Sequence, residues 1–437
     1  MRDVEEELRT APIAAARAPT RETRIDPRAL DRDAIEVVRR LQRYEHTAYI
    51  VGGCVRDLLV GLAPKDYDVS TSARPEQIKR VFRNSRIIGR RFRLAHIFFR
   101  GGKIIETATF RGHVQGGEDD NAGDLLITRD NVWGTEEEDA QRRDFTINGL
   151  MYDVTSARII DHVGGLEDIE RRRIRTIGDP DIRVQEDPVR ILRAARFSAK
   201  LGFEIEPRLL AAMRAHARDI LRCPRARVLE EIFKLLRVGH SRASVEVLQT
   251  TGVLPVVLPD VAAYLEIEPA TSGAPTMLEY LGALDSLIAR RGPVSDAVVL
   301  AALYHAPLDR ALAQVDPSRQ LLRLEECLAE LGQALASTRR VRERLRQILL
   351  AQRHFRRAPD RRSRRRVAPS TLARRAYFAD ALDLFELWAE ANATEAEAVA
   401  EWRASSPENP RARDEADEPA EDEQPAAPRR RRRRHRH

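Results

Sequence analysis

Residues 48–71 read Ala48-Tyr49-Ile50-Val51-Gly52-Gly53-Cys54-Val55-Arg56-Asp57-Leu58-Leu59-Val60-Gly61-Leu62-Ala63-Pro64-Lys65-Asp66-Tyr67-Asp68-Val69-Ser70-Thr71. Tyr49, Ile50 and Val51 are strand formers and predict a short buried strand. Gly52 and Gly53 interrupt it and leave bare backbone whose N–H groups a phosphate can approach. Val55 to Val60 predicts one or two helical turns, with an N-terminus that favours an anion. Gly61 and Pro64 reverse the chain, and Lys65 to Thr71 predicts a second strand. On that strand Asp66 and Asp68, two residues apart, share a face. Carboxylates so placed raise each other's pKa unless a cation lies between them. Mg²⁺ takes one or two carboxylates together with phosphate oxygens. The pair beside a phosphate-cradling loop therefore points to metal-assisted phosphoryl or nucleotidyl transfer. A lone Asp-x-Asp is commonly a solvated turn; the ordered series of strand, Gly-Gly turn, short helix, turn and acidic strand argues against that here.

Gly-Gly-x-Val-Arg-Asp-Leu-Leu at 52–59, followed by Lys-Asp-Tyr-Asp-Val at 65–69, resembles the active-site strand pair of the tRNA nucleotidyltransferase and poly(A) polymerase family. Cys54 stands where the family pattern has Gly. The resemblance implies an α+β chain: an N-terminal nucleotidyltransferase head, polymerase beta-like with a small mixed sheet, then all-α neck, body and tail domains.

Composition agrees with that outline. A chain of 437 residues suits two to four domains, and 33% charged residues with a pI near 9.6 make a polyanion a natural partner. The basic residues are nearly all Arg and Ala is abundant, so base composition of the coding sequence contributes to that pI. Cys54, Cys223 and Cys327 are too few and too scattered for a disulfide framework, and no Cys/His spacing suggests zinc. No apolar run approaches the roughly 20 residues a membrane span needs. The expectation is a soluble cytoplasmic protein with no membrane partner.

Residues 1–32 are charged and aperiodic and are expected to form a disordered arm. Ile35, Val38 and Leu41 predict a helix over 33–44, capped by Asp31 or Asp33. After the acidic strand, Arg74-Pro75-Glu76 opens a helix, and strands are expected over 85–89, 94–100 and 103–110. Glu106 shares a strand face with apolar residues, where a carboxylate needs a reason. It either reaches the metal site or pairs with Arg91 or Arg111. Residues 112–127 read as a flexible loop. Short strands at 158–163 and 174–177 close a head spanning 33–180.

Arg-Arg-Asp-Phe-Thr-Ile-Asn at 142–148 resembles the family's second catalytic motif, which implies a catalytic role for Asp144 and triphosphate contacts for Arg142 and Arg143. Glu-Asp-Pro-Val-Arg-Ile-Leu-Arg-Ala-Ala-Arg-Phe at 186–197 reads locally as a helix start with Asp187 as N-cap, Pro188 first in the helix, and Arg190 in reach of Asp187. It also resembles the family's base-recognition motif, implying nucleotide contacts for Asp187 and Arg190, with Glu186, Arg193 and Arg196 as further candidates. A carboxylate accepts from the adenine amino group while a guanidinium donates to the ring nitrogen. Cytosine presents the same polarity, whereas guanine and uracil leave charges unsatisfied.

A helical neck is expected over 181–240 and a helical body and tail over 241–403, with helices at 207–217, 227–236, 243–250, 293–304, 321–335, 342–356 and 372–389. Arg353 to Arg375 is basic enough to track an RNA backbone. Residues 404–437, acidic and then Arg-rich (Arg429 to Arg434), are expected to be a disordered tail anchoring nucleic acid.

Ile87-Ile-Gly-Arg-Arg-Phe-Arg-Leu-Ala-His-Ile97 resembles the Gly-Arg-Arg-Phe-x-Leu-x-His signature of the bacterial poly(A) polymerases, which CCA-adding relatives lack. The activity this implies is template-independent transfer of AMP from ATP to RNA 3′ ends, promoting polyadenylation and RNA turnover. CCA addition to tRNA is one alternative, and a non-catalytic RNA-binding scaffold that keeps the fold is the other. Asp66 and Asp68 would hold two Mg²⁺ ions (Mn²⁺ as an alternative), completed by Asp144 or Glu106, and pyrophosphate would leave. Gly52 and Gly53 would cradle the triphosphate; Arg56 and Asp57 would orient the ribose or pair with each other. ATP, RNA 3′ ends and RNA-decay machinery are the expected partners of a monomer.

Overall fold

The computed structural model describes residues 20–22, 25–89, 93–112, 132–267, 275–335, 337–355 and 372–404. Several expectations lie outside these residues: most of the arm and of the loop at 112–127, Arg90, Arg91 and Phe92 of the 87–97 signature, most of the basic track at 353–375, and the tail from 405.

The head is a mixed sheet flanked by short helices. In chain order its elements are β1 (Thr20–Glu22), α1 (Arg32–Arg43), β2 (Ala48–Val51), α2 (Gly53–Leu59), β3 (Asp68–Thr71), α3 (Pro75–Val81), β4 (Ser85–Ile88), β5 (Leu94–Phe98), β6 (Ile104–Thr109), α4 (Glu136–Gln141), β7 (Met151–Asp153), β8 (Arg158–Ile160) and α5 (Gly165–Glu170). The eight strands lie in the order β1-β8-β7-β2-β3-β6-β5-β4. Only β3 and β6 run parallel; the other pairs are antiparallel.

Local chemistry explains the elements. Asp31 caps α1 by accepting from the Asp33 and Ala34 N–H groups. The helix buries Ala34, Val37, Val38 and Leu41, and each buried Val or Leu contributes roughly 1.5–3 kcal/mol. They join Ile50, Ile78, Ile97, Ile105 and Tyr152 in the head core. Thr135 and Glu138 form a capping box on α4.

The arm is ordered further than its composition suggests. β1 pairs with β8 at the sheet edge, and Ile25 and Leu30 are buried in the head core. The Tyr67 hydroxyl donates to the Ala29 carbonyl at 2.9 Å.

β3 corrects the reading of the acidic strand. The expected strand from Lys65 begins only at Asp68, because the last pair of the β2–β3 ladder is Val51 with Asp68. Beyond Val51 the chain turns off at Gly52, so residues 65–67 have no strand to pair with. Asp66 therefore sits before the strand, exposed, and not one strand step from Asp68.

The remainder is helical. It runs α6 (Pro180–Glu186), α7 (Val189–Leu201), α8 (Pro207–Ala215) and α9 (Arg225–Leu236), then helices at Ser241–Thr250, Leu254–Val257, Pro259–Ile267, Met277–Arg291, Asp296–Ala313, Gln320–Ala334, Arg339–Phe355, Phe378–Ala391 and Ala396–Ala404. Arg173–Ile174 does not extend the head sheet; it pairs in parallel with Glu204–Ile205, which follows α7 in the chain. Phe145 and Ile147 belong to the helical core while Leu150 belongs to the head core. Residues 142–150 thus stitch the two cores together, and the stitch carries the site. Among the described residues no helix is long and apolar enough to cross a membrane.

Candidate active site

The turn after β2 adopts φ +78° and ψ −131° at Gly52, a conformation that strains any residue with a side chain. A Cβ there would also stand 2.9 Å from Arg143 Nη1. Arg143 lies across this turn: Nη2 donates to Ser70 Oγ at 3.1 Å and to Asp139 Oδ2 at 3.0 Å, and Nη1 to the Asn148 carbonyl at 3.4 Å. A guanidinium is thereby fixed beside bare glycine backbone.

Below them a cavity of about 490 Å³ opens between head and neck. Gly52, Gly53, Asp68 and Arg143 form its head wall; Asp187, Arg190, Arg193 and Arg196 of the α6–α7 region form its neck wall, with Arg227 and Glu231 from α9. Six arginines face four carboxylates, Asp144 among them, so the cavity carries a positive excess suited to a polyphosphate.

One hydrogen-bonded chain ties the walls together. Lys200 Nζ donates to Asp57 Oδ2 at 2.9 Å, and Arg56 grips Asp57 Oδ1 through Nε at 2.9 Å and Nη2 at 2.6 Å. Arg56 Nη1 donates to Asn148 Oδ1 at 2.5 Å, and Asn148 Nδ2 to Asp144 Oδ1 at 3.0 Å. Asp144 Oδ2 accepts Nε and Nη2 of Arg193 at 2.8 and 2.5 Å. Both ends of this chain, Lys200 and Arg193, belong to α7, so it closes into a ring. At its centre stands Phe197, with the guanidiniums of Arg56, Arg193 and Arg196 lying 4.8, 5.7 and 4.5 Å from its ring centroid.

Charge states follow from these contacts. Burial alone would raise the Asp144 carboxyl, but Arg193, Asn148 and the Phe145 N–H outweigh it and hold the group down to about 2. Asp68 goes the other way: desolvation in the cleft, then the neighbouring charges of Glu106 and Asp66, push it up to about 6 against the pull of Arg143. Asp68 and Glu106 are register partners on the parallel strands β3 and β6. Glu106 is exposed and touches His96, 3.4 Å away. It is the carboxylate that the strand register brings to Asp68.

Several expectations change in position or partner. Asp144 shares the cavity with Asp68 but is bound to Arg193. Among the described residues no three His, Cys, Asp or Glu side chains form a metal-holding group. Arg142 is not among the lining residues; Arg183 Nη2 donates to its carbonyl at 2.8 Å. Asp57 is buried and pairs with Arg56 and Lys200. Asp187 precedes the helix, whose N-cap is Pro188, though its Oδ1 still accepts from the Val189 N–H at 3.3 Å. Asp187 and Arg190 do not lock each other. Arg227 donates to Asp187 at 2.6 Å, while Arg190 donates to Glu186 at 2.9 Å and to the Arg183 carbonyl at 2.6 Å. Asn148, Phe197, Arg227, Glu231 and Lys200 were not singled out. Asn148 and Phe197 each close a motif quoted for its other residues; Arg227, Glu231 and Lys200 carry no local signal.

Three stretches match family descriptions: residues 48–175 the Poly A polymerase head domain, 202–265 the "probable RNA and SrmB- binding site of polymerase A", and 322–437 the polymerase A arginine-rich C-terminus. Over 397 residues the chain is 36% identical to poly(A) polymerase I of Salmonella typhimurium, covering 88% of this chain and 84% of that protein. A CCA-adding enzyme of Bacillus pumilus is 35% identical over 219 residues, half of this chain and 53% of that one. In three dimensions the chain is similar to the Bacillus stearothermophilus CCA-adding enzyme crystallised with CTP, with a TM-score of 0.61 and 26% identity, covering 85% of this chain and 81% of that one. Head, RNA-binding-site and Arg-rich stretches match in one chain, and the 36% identity runs over 88% of it: this protein belongs to the bacterial poly(A) polymerase family of nucleotidyltransferases.

Proposed function

We propose that this enzyme transfers AMP from ATP to RNA 3′ ends without a template. The observation that carries this is the single cavity with Asp68 and the Gly52–Arg143 corner on one wall and Asp187, Arg190, Arg193 and Arg196 on the other. The triphosphate lies along Gly52, Gly53 and Arg143, and the base reaches the neck wall. There Asp187 accepts from the amino group and Arg190 donates to the ring nitrogen. Each reader is pinned by its own partner, Arg227 or Glu186, and this rigidity favours one of the two bases that share the polarity. Arg56 is oriented by Asp57 and Asn148, and Asp144 acts by positioning Arg193 and Asn148.

The residues present fit a divalent metal. Asp68 and Glu106 are register partners on adjacent strands, and desolvation together with the Glu106 and Asp66 charges raises the Asp68 carboxyl, a donor set that a divalent cation would neutralise. No protein cage is required, since Mg²⁺ completes its shell with phosphate oxygens and water. Asp68, Asp66 and Glu106 would hold Mg²⁺, which supplies neutralisation of the triphosphate and a lower pKa for the RNA 3′-OH. The 3′ oxygen bonds to the α-phosphorus as the bond to pyrophosphate breaks, in line. Action in the cytoplasm alongside RNA-decay machinery, as a monomer, belongs to the same reading.

The test is extension of a labelled unstructured RNA with each NTP separately, with Asp68→Ala as control. Long ladders from ATP alone, lost in the variant, support the reading. One or two additions that require CTP would transfer the assignment to CCA addition, which the 35% identity to a CCA-adding enzyme keeps in view. Silence with every nucleotide overturns it.

A further inference from the structure

The cavity accounts for one side of Asp68 only. Its lining comes from the β2 end of the sheet and from the neck, whereas β6, β5 and β4 extend from Asp68 in the opposite direction with one face exposed among the described residues. Register places Asp68 opposite Glu106, Glu106 opposite His96, and His96 opposite Arg86. These four residues form one row across four strands. Side chains two residues along a strand share its face, so the rows beside this one carry Ile88 with Leu94 on one flank and Phe98 with Ile104 on the other. Ile88, Phe98 and Ile104 are 39–40% exposed and gather on one sheet face beside the row that holds Asp68. Arg86 is exposed and ends the row. His96 and Leu94 are the described end of the signature that separates this subgroup from CCA-adding relatives, and the nucleotide cavity uses neither.

In-line transfer needs its attacking hydroxyl on the side of the α-phosphorus away from the leaving pyrophosphate. With the triphosphate at Gly52 and Arg143, the attacking group enters over Glu106. Resting on the adenylyl-transfer reading above, we propose that the 3′-terminal nucleotide of the acceptor RNA docks on this open sheet face. Its base and ribose lie over the Ile88 and Phe98 flanks, and Arg86 takes a backbone phosphate. Arg86 stands three strand spacings, roughly 14 Å, from Asp68, and an Arg side chain is long enough to meet a phosphate next to the terminal ribose. His96 is a positioning residue that steadies Glu106. Apolar patch and terminal cation match a nucleotide's apolar faces and its phosphate.

The experiment is steady-state extension of the trinucleotide ApApA by the full chain with ATP, because so short a primer engages only the site that holds the 3′ end. Arg86→Glu is expected to raise KM for ApApA at least tenfold while KM for ATP stays within twofold of wild type. An unchanged KM for ApApA overturns the proposal, as does a parallel rise in the KM for ATP. Wild type that extends ApApA separates this outcome from failure of the underlying reading, which an inactive wild type would sink instead. Should Arg86→Glu lose its native circular dichroism, the wild-type chain photo-crosslinked to an oligoadenylate ending in 4-thiouridine decides the matter. Crosslinks within residues 85–106 support the docking face; crosslinks only elsewhere overturn it.

Discussion

Asp144→Asn tests the ring of contacts that holds the two walls of the cavity. In the wild type the carboxylate receives two bonds from Arg193, one from Asn148 and one from the Phe145 N–H. These contacts hold it at about 2, against an ordinary value of 3.8. At 1.36 kcal/mol per pH unit the difference amounts to roughly 2.5 kcal/mol of folding stability at neutral pH. The sign is set by a folded value below the unfolded one. The contribution is complete above about pH 4 and is lost as pH falls toward 2. Asn keeps the shape but not the charge, so the variant should unfold at pH 7 with about 2–3 kcal/mol less stability. The gap to wild type should then narrow steadily between pH 4 and pH 2 as the wild-type carboxyl protonates. Equilibrium urea unfolding of both proteins at several pH values measures this directly, and taking the difference cancels the other titrating groups. A gap that stays constant across that window, or that is below about 0.5 kcal/mol at pH 7, would refute the assignment. In the activity assay kcat/KM for ATP should fall at least a hundredfold, because both Arg193 and, through Asn148, Arg56 lose their orientation.

Asp68→Asn should abolish nucleotide incorporation, by a thousandfold or more, while leaving the circular dichroism spectrum and RNA binding intact. Gly52→Ala should raise KM for ATP tenfold or more in the same extension assay, since its Cβ meets Arg143 Nη1 at 2.9 Å on a backbone at φ +78°; it should also cost about 1–2 kcal/mol in urea unfolding. Lys200→Met should be tolerated better than Asp57→Asn, because losing the carboxylate strands both Arg56 and Lys200. Expected stability losses are about 1 and about 3 kcal/mol respectively, and equal losses would show that the Lys200 contact is all that Asp57 contributes. Removing divalent ions with EDTA should stop extension, and added Mg²⁺ should restore it without refolding.

How far the sequence could be read depended on the range of the forces involved. Strand, Gly-Gly turn and helix at 48–59 are local, as is the cap of α1 by Asp31, and all appear where periodicity and capping residues put them. The helix at Met277–Arg291 was legible and overlooked: Thr276 and Glu279 form a capping box. Asp66 was misplaced for a longer-range reason. Alternation along 65–71 assumed a strand, but a strand extends only as far as its neighbour, and β2 ends opposite Asp68. Asp187 and Arg190 were paired on spacing alone; the fold offered Arg190 the better-placed Glu186 and brought Arg227 to Asp187 from 40 residues away. Lys200 and Asp57 are separated by 143 residues. No local pattern distinguishes Lys200 from any lysine on a solvated helix face, and only the packing of α7 against the head gives it a role.

The short strand β1 governs association, not catalysis, through the sheet edge that it covers. Among the described residues, β8 has β7 on one side and Thr20–Glu22 on the other. Three residues close a row of backbone donors and acceptors that would otherwise be open to any extended chain. A deletion of the first 24 residues, natural from their charged, aperiodic composition, would bare that edge along Arg158–Ile160. The shortened protein should keep its active site and yet self-associate with increasing concentration, its strands pairing edge to edge. Sedimentation of full-length and shortened protein side by side would reveal this as a sticky sheet, not an inactive enzyme.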